Sequence, residues 1–229
     1  MAEQQRRWGW VALVAAVVVI GWAAQHGGNG SGTSGTTVAA PSDTASARPS
    51  PGTGGHPAPS ASASPDQNVP ADFGAPVVEY ARQAGIDPQL LMAILYNESY
   101  KPHDPAFQKA WLRLKPGAAL GIANMHEAAF DETRTGRSFA DRSWQSLPDD
   151  PDLAIEAAAW YLHDLAAQLP ARRSGGYTED ELLAMGYNAG ASNMLAFARG
   201  VTPGSLSQTY LDTLHGNWSS AAAAVKPYL

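Results

Sequence analysis

Asp87-Pro88-Gln89-Leu90-Leu91-Met92-Ala93-Ile94-Leu95-Tyr96-Asn97-Glu98 reads as a helix from its first two residues. Aspartate accepts hydrogen bonds from the N–H groups that a helix start leaves open, and proline in the first helical position loses no bond. Glu98 lies four residues after Ile94 and seven after Leu91, so on a 3.6-residue period the three share a face. That face is expected to be buried. A carboxyl group at the edge of a core loses hydration, which raises its pKa and lets it hold a proton near neutral pH, as a general acid requires. The competing reading is a glutamate near a helix end that bends into solvent.

The same punctuation recurs downstream. Asp150-Pro151 opens a second expected helix over Asp152 to Leu169, with Pro170 just past its end. Thr178 to Glu181 has capping-box spacing ahead of Leu182 to Tyr187. Asn193 to Arg199, closed by Gly200, and Leu206 to Trp218 complete the set. From Phe73 onward apolar residues recur at three and four, and no period-2 run exceeds a few residues. The expectation is an all-α fold, seven or eight short helices in one irregular bundle spanning 73–229. A chain of that length can bury roughly 68–70% of its unfolded surface, enough for one core.

The rest of the 229 residues has a different composition. Of the 48 residues from Gln25 to Asp72, 36 are Gly, Ser, Pro, Thr or Ala, and Val38 and Val69 are the only large apolar side chains. Such a stretch cannot bury enough apolar surface to offset its ordering entropy, so 25–72 is expected to be a disordered linker. If flexible it spans about 35–42 Å, and more where prolines stiffen it. Before it, Arg6 and Arg7 precede the uncharged stretch Trp8 to Ala24. As a helix this stretch would cover about 25 Å, slightly under the hydrocarbon core of roughly 30 Å but within the usual range for a span. Trp8, Trp10 and Trp22 stand at its ends, where indole rings favour the interface. Residues 1–24 therefore read as a signal anchor that meets the membrane through residues 8–24. The alternative is a cleaved signal peptide, for which Gly21-Trp22-Ala23 is a poor cleavage site. Either way the arginine pair stays inside and the helical head is delivered outside, anchored or secreted.

Charge narrows the partners further. The net charge is −6, and past residue 70 there are 18 acids against 12 bases. No run of Lys or Arg exceeds the pairs Arg6-Arg7 and Arg172-Arg173, so a nucleic-acid backbone would find no basic stripe. The absence of cysteine excludes a disulfide framework, a thiol nucleophile and thiolate metal sites. His126-Glu127-Ala128-Ala129-Phe130 begins like a zinc helix, but Phe130 stands where the second histidine is needed. His103-Asp104 and His163-Asp164 are single pairs with no third ligand in register, best read as surface residues. No metal and no cofactor is implied.

Four segments occur in order: Glu98-Ser99, then Ala119-Leu120-Gly121-Ile122-Ala123-Asn124, then Ile155-x-x-Ala158-x-x-Tyr161-Leu162, then Tyr187-Asn188-Ala189-Gly190. From about Phe73 to Trp218 the chain resembles the lytic transglycosylases of the goose-lysozyme-like superfamily, the soluble lytic transglycosylase type that cuts peptidoglycan. The resemblance implies a lysozyme-like helical domain acting on glycan strands. In that family a Glu-Ser pair ends one helix, a Gly-Leu-Met-Gln turn follows, and Tyr-Asn-Ala-Gly comes near the end. Here Gly121-Ile122-Ala123-Asn124 replaces that turn, so a shorter amide stands where the family's glutamine contacts the glycan. Ala158 stands where the family usually has glycine. The interval from Glu98 to Gly121 is about eight residues longer than usual in the family, with Pro102 to Lys115 as an insertion around Trp111.

By that resemblance Glu98 is the catalytic acid and base, and Tyr187 brings its hydroxyl near it. Tyr187 also reads as a buried core tyrosine. Asn188, with Ala189 and Gly190, belongs to the turn that presents Tyr187 or contacts substrate. Ser99 and Asn124 are candidates for binding the N-acetyl or peptide arms, against local capping. Trp144, Trp160 and Tyr161 have rings that can stack on sugars, although helical spacing with Leu153, Ala157 and Leu165 favours core packing for Trp160 and Tyr161. Asp104 and Glu127 are the available second carboxylates, neither strongly marked. The implied reaction cleaves the bond between N-acetylmuramic acid and N-acetylglucosamine and leaves a 1,6-anhydromuramyl end. A muramidase using water, and a wall-binding module of the same fold without activity, are the alternatives.

Overall fold

The computed structural model describes residues 70–229. The membrane-directed segment and nearly all of the linker lie outside the described residues. Among the described residues the architecture is all helix, with one isolated antiparallel bridge between Leu120 and Met125. A 3-10 turn, Pro70–Phe73, takes in the end of the compositional linker and leads into α1 (Gly74–Ala84). There follow α2 (Pro88–Glu98), α3 (Pro105–Leu114), α4 (Glu127–Arg134), α5 (Pro151–Ala166), α6 (Glu179–Ala189), α7 (Ala191–Ala198) and α8 (Ser205–Val225). No helix among these residues is long and apolar enough to cross a membrane.

The start signals work as their chemistry requires. The Asp87 carboxylate accepts from Gln89 N at 2.7 Å, and Asp150 accepts from Leu153 N at 3.0 Å, each with proline opening the helix. Thr178 and Glu181 form the full capping box of α6, side chain to backbone in both directions. Two helix ends differ most from expectation. Helix α5 stops at Ala166 and not Leu169, because Gln168 and Leu169 bond to the carbonyls three residues back and tighten into a turn ahead of Pro170. Helix α8 continues past Trp218 to Val225, carried by the strong helix formers Ala221, Ala222, Ala223 and Ala224.

Helix α2 is the centre of the domain. Leu90, Leu91, Met92, Ala93, Ile94 and Leu95 are all essentially inaccessible, so the helix is buried on every side and not only on the face through Leu91 and Ile94. It packs most extensively on α8, while α1 lies against α5 and α6 against α7. Polar ties fix the α2–α8 register: Gln89 Nε2 donates to Trp218 O at 2.9 Å and Asn97 Nδ2 to Tyr210 O at 3.0 Å. Asn217 in turn donates to Asn97 Oδ1 at 2.9 Å. These contacts bring the C-terminal end of α2 beside the first half of α8.

Candidate active site

Glu98 is the last residue of α2 and keeps only 7% of its surface exposed. Its carboxyl is turned inward: Oε1 accepts from the Tyr210 hydroxyl at 2.9 Å and Oε2 from Asn124 Nδ2 at 3.1 Å. The solvent-facing reading of Glu98 therefore does not hold. Burial raises its pKa above the ordinary glutamate value, and the two hydrogen bonds and the Lys101 charge only partly offset that rise. Nδ2 can only donate, whereas a tyrosine hydroxyl can donate or accept. A proton on Oε1 thus costs the site no hydrogen bond, since the Tyr210 hydroxyl can turn to accept it. A carboxyl so held can keep a proton and give it up.

Asn124 sits on a tight turn closed by Leu120 N to Met125 O at 3.0 Å and Met125 N to Leu120 O at 2.9 Å. Two residues of this turn adopt left-handed backbone, Gly121 at φ 74° and Asn124 at φ 47°. Only glycine suits the first position, because a Cβ there would stand 3.0 Å from Leu147 Cβ and 3.1 Å from Ala154 Cβ. Asparagine tolerates the second better than most residues. From it Nδ2 reaches both the Glu98 main-chain oxygen, at 2.8 Å, and its carboxylate. The amide expected to hold substrate arms thus holds the acid. Trp144 braces the same turn from behind, its indole N–H donating to Met125 O at 2.7 Å, and is buried where it has no face for a sugar.

The other expected residues fall into two groups. Tyr187 is in the cluster: its hydroxyl donates to Ala123 O at 2.7 Å, and the Glu98 charge helps raise its pKa well above the ordinary tyrosine value after burial. It therefore fixes the residue beside Asn124 and does not bond the acid directly. Tyr161 packs edge-on against it, ring centroids 5.5 Å apart. Asn188 is exposed on the last turn of α6. Ser99 caps locally, its hydroxyl donating to Tyr96 O at 2.7 Å. Trp160 lies under the Arg137 guanidinium and edge-on to His163, as a structural aromatic. Asp104 is engaged as the cap of α3, accepting from Phe107 N at 2.6 Å, and Glu127 lies exposed in the first turn of α4.

Sequence reasoning missed three contributors. Tyr210, 112 residues from Glu98, carries no local signal, and only the packing of α8 on α2 brings it to the acid. The insertion is itself a helix, α3, opened by a third Asp-Pro pair, Asp104-Pro105, that the sequence displays plainly. Its Gln108 is buried and accepts from Gly121 N at 2.8 Å, so α3 clamps the turn that carries Asn124. His103, read as a surface residue, is buried at the head of that segment, near the main chain of Glu98 and Gly121, and burial lowers its pKa. Two concavities, of about 260 and 480 Å³, open elsewhere, and Glu98 lines neither of them.

A carboxyl whose pKa is raised by burial, hydrogen-bonded to two neutral side chains at the end of a helix, is equipped for proton transfer to an oxygen leaving group. No curated protein and no solved structure matches the chain. A family model, the transglycosylase SLT domain, matches residues 76–201, which takes in Glu98, the Gly121–Asn124 turn and Tyr187 but ends before Tyr210. With that match across more than half its length, this chain belongs to the transglycosylase SLT domain family, the lytic transglycosylases of the lysozyme-like, goose-lysozyme-type superfamily.

Proposed function

We infer that the protein is a peptidoglycan lytic transglycosylase in which Glu98 is both acid and base and the cut leaves a 1,6-anhydromuramyl end. The observation that carries this reading is the one buried carboxyl among the described residues, Glu98 at 7% exposure, with hydrogen bonds from Tyr210 and Asn124 and a pKa raised by burial. Hydrolysing glycosidases ordinarily use two carboxyl groups, about 5–5.5 Å apart when retaining and roughly 6.5–9.5 Å when inverting. The partners of Glu98 are neutral, and the carboxylate of Asp104 is taken up in capping α3.

The steps balance without water. Protonated Glu98 gives its proton to the glycosidic oxygen as the bond from that oxygen to muramyl C1 breaks, and the N-acetylglucosamine 4-hydroxyl departs. Glu98, now a carboxylate held by Tyr210 and Asn124, takes the proton of the muramyl 6-hydroxyl as its oxygen bonds to C1. The acid is restored. Placed acid–base catalysis of this kind contributes about 10²–10⁴-fold, and holding the 6-hydroxyl against C1 adds a proximity term.

The export reading completes the proposal. Residues 8–24 hold the head at the outer face of the cytoplasmic membrane, or release it if that segment is cleaved, and residues 25–72 give it reach into the wall. Digestion of sacculi in ¹⁸O-labelled water tests the chemistry. Unlabelled anhydromuramyl products are expected, whereas one labelled oxygen in each new reducing end would establish a muramidase. Absence of any product would leave a wall-binding module.

A further inference from the structure

Helix α3 presents two different faces. Gln108 and Leu112 turn inward, the first onto Gly121 and the second onto the core. Phe107, Trp111 and Leu114 turn outward, and with Tyr100 they form a concentration of exposed large apolar side chains along residues 100–114. The Phe107 and Trp111 rings lie parallel within 8°, stacked with centroids 6.4 Å apart, and each stays nearly half exposed, so together they make one apolar patch. Ammonium groups stand over two of these rings: Lys115 Nζ lies 5.1 Å from the Trp111 ring centre and Lys101 Nζ 5.1 Å from that of Tyr100. In an acidic domain this segment is locally basic, with Lys101, Lys109, Arg113 and Lys115 against Asp104.

The patch is tied to the candidate acid by the chain and by one hydrogen-bonded link. Tyr100 follows Glu98 by two residues, the Lys101 charge reaches Glu98, and α3 is bonded through Gln108 to the turn that carries Asn124. The ligand that fits has apolar flat faces and scattered carboxylates. A peptidoglycan strand has both, in the C–H faces of its pyranose rings and in the carboxylates of its stem peptides. An anionic bilayer fits less well, because the exposed set is four side chains and not an extended apolar face, and it is bonded through Gln108 to the turn that carries Asn124 beside the candidate acid.

We propose that Tyr100, Phe107 and Trp111, flanked by Lys101 and Lys115, form an accessory subsite that grips the glycan strand beyond the sugars at the cleaved bond. The proposal rests on the peptidoglycan reading of Glu98, and its test does not depend on cleavage. Glu98→Gln protein serves as a non-cutting probe, pelleted with purified sacculi. Adding Phe107→Ala and Trp111→Ala is expected to weaken that binding about tenfold or more, since half-exposed rings lose their stacking area. In the active protein the same pair should lower kcat/KM more on long strands than on a tetrasaccharide spanning the cleaved bond. Phe107→Ser and Lys115→Glu, both at outward positions, provide a second route should the double substitution fail to fold, with the same direction expected. Unchanged pelleting, or equal losses on short and long substrates, would overturn the proposal. So would a loss confined to anionic phospholipid vesicles with sacculus binding intact, which would make α3 a membrane-facing helix. If instead the active protein cuts no glycan while the probe still pellets through Trp111, the enzymatic reading fails and the subsite stands.

Discussion

Replacing Tyr210 by Phe removes one hydroxyl and leaves the ring. That hydroxyl donates to Glu98 Oε1 at 2.9 Å, and it stabilises the charged carboxylate more than the neutral acid. Tyr210 is partly buried, and its own pKa is raised well above the ordinary tyrosine value, first by desolvation and then by the neighbouring Glu98 charge, so its hydroxyl keeps its proton throughout the working range. A hydrogen bond to a charged group is worth about 1.5–3 kcal/mol, and one pKa unit corresponds to about 1.36 kcal/mol. Because the protonated acid keeps a neutral bond to the same hydroxyl, only the difference of about 1–1.5 kcal/mol bears on the equilibrium, and losing it lets burial push Glu98 up further, by about one pH unit. Since Glu98 must begin protonated, activity falls as pH rises through its pKa, and that alkaline limb moves upward in the variant. The assay is kcat/KM on a soluble glycan fragment against pH, which reports the free enzyme. Rate on the acid side should fall as well, because the carboxylate formed after proton donation has lost a stabilising partner. An alkaline limb that stays in place or moves down, with the fold intact, would refute the role given to Tyr210.

Glu98→Gln should stabilise the domain while abolishing activity. A carboxyl whose pKa is raised by folding contributes its full stability below the ordinary glutamate value and loses it as pH rises through the raised one. The gain in Tm should accordingly be small in acid and grow towards neutral pH, at about 2–4 °C per kcal/mol for a domain of this size. Gly121→Ala places a Cβ 3.0 Å from Leu147 Cβ at a positive φ, and thermal unfolding should report a loss of about 1–3 kcal/mol. Activity should fall further than stability explains, because the displaced turn carries Asn124. Thr178→Ala removes the capping box of α6 and should cost about 1 kcal/mol by denaturant titration, with kcat unmoved.

Local chemistry was legible in the sequence, and chemistry assembled by packing was not. Asp87, Asp150 and Thr178 act within three residues of themselves, so their helices can be read from adjacent letters. The burial of Glu98 agrees with its spacing to Leu91 and Ile94, but the spacing does not decide it, because α2 is buried on every side. Tyr210 has no such neighbour-based signal: its role exists only because Asn97, Asn217 and the apolar body of α2 fix α8 alongside. Asn124 illustrates the intermediate case. Its place in the turn is readable from Gly121, but whether its amide points at substrate or at the acid depends on a φ of 47°, which composition does not dictate. The insertion shows a signal available but unread, since Asp104-Pro105 repeats the start pattern of α2 and α5. His103 reads as exposed beside its charged neighbours, and only the fold brings the main chain of Glu98 and Gly121 against it.

The central claim is that one buried glutamate cuts the strand without consuming water. Mass spectrometry of sacculi digested by the wild-type protein and by Glu98→Gln tests it most directly. Anhydromuramyl ends from the first and none from the second are predicted. New reducing ends from the wild type, or undiminished anhydromuramyl product from Glu98→Gln, would contradict it.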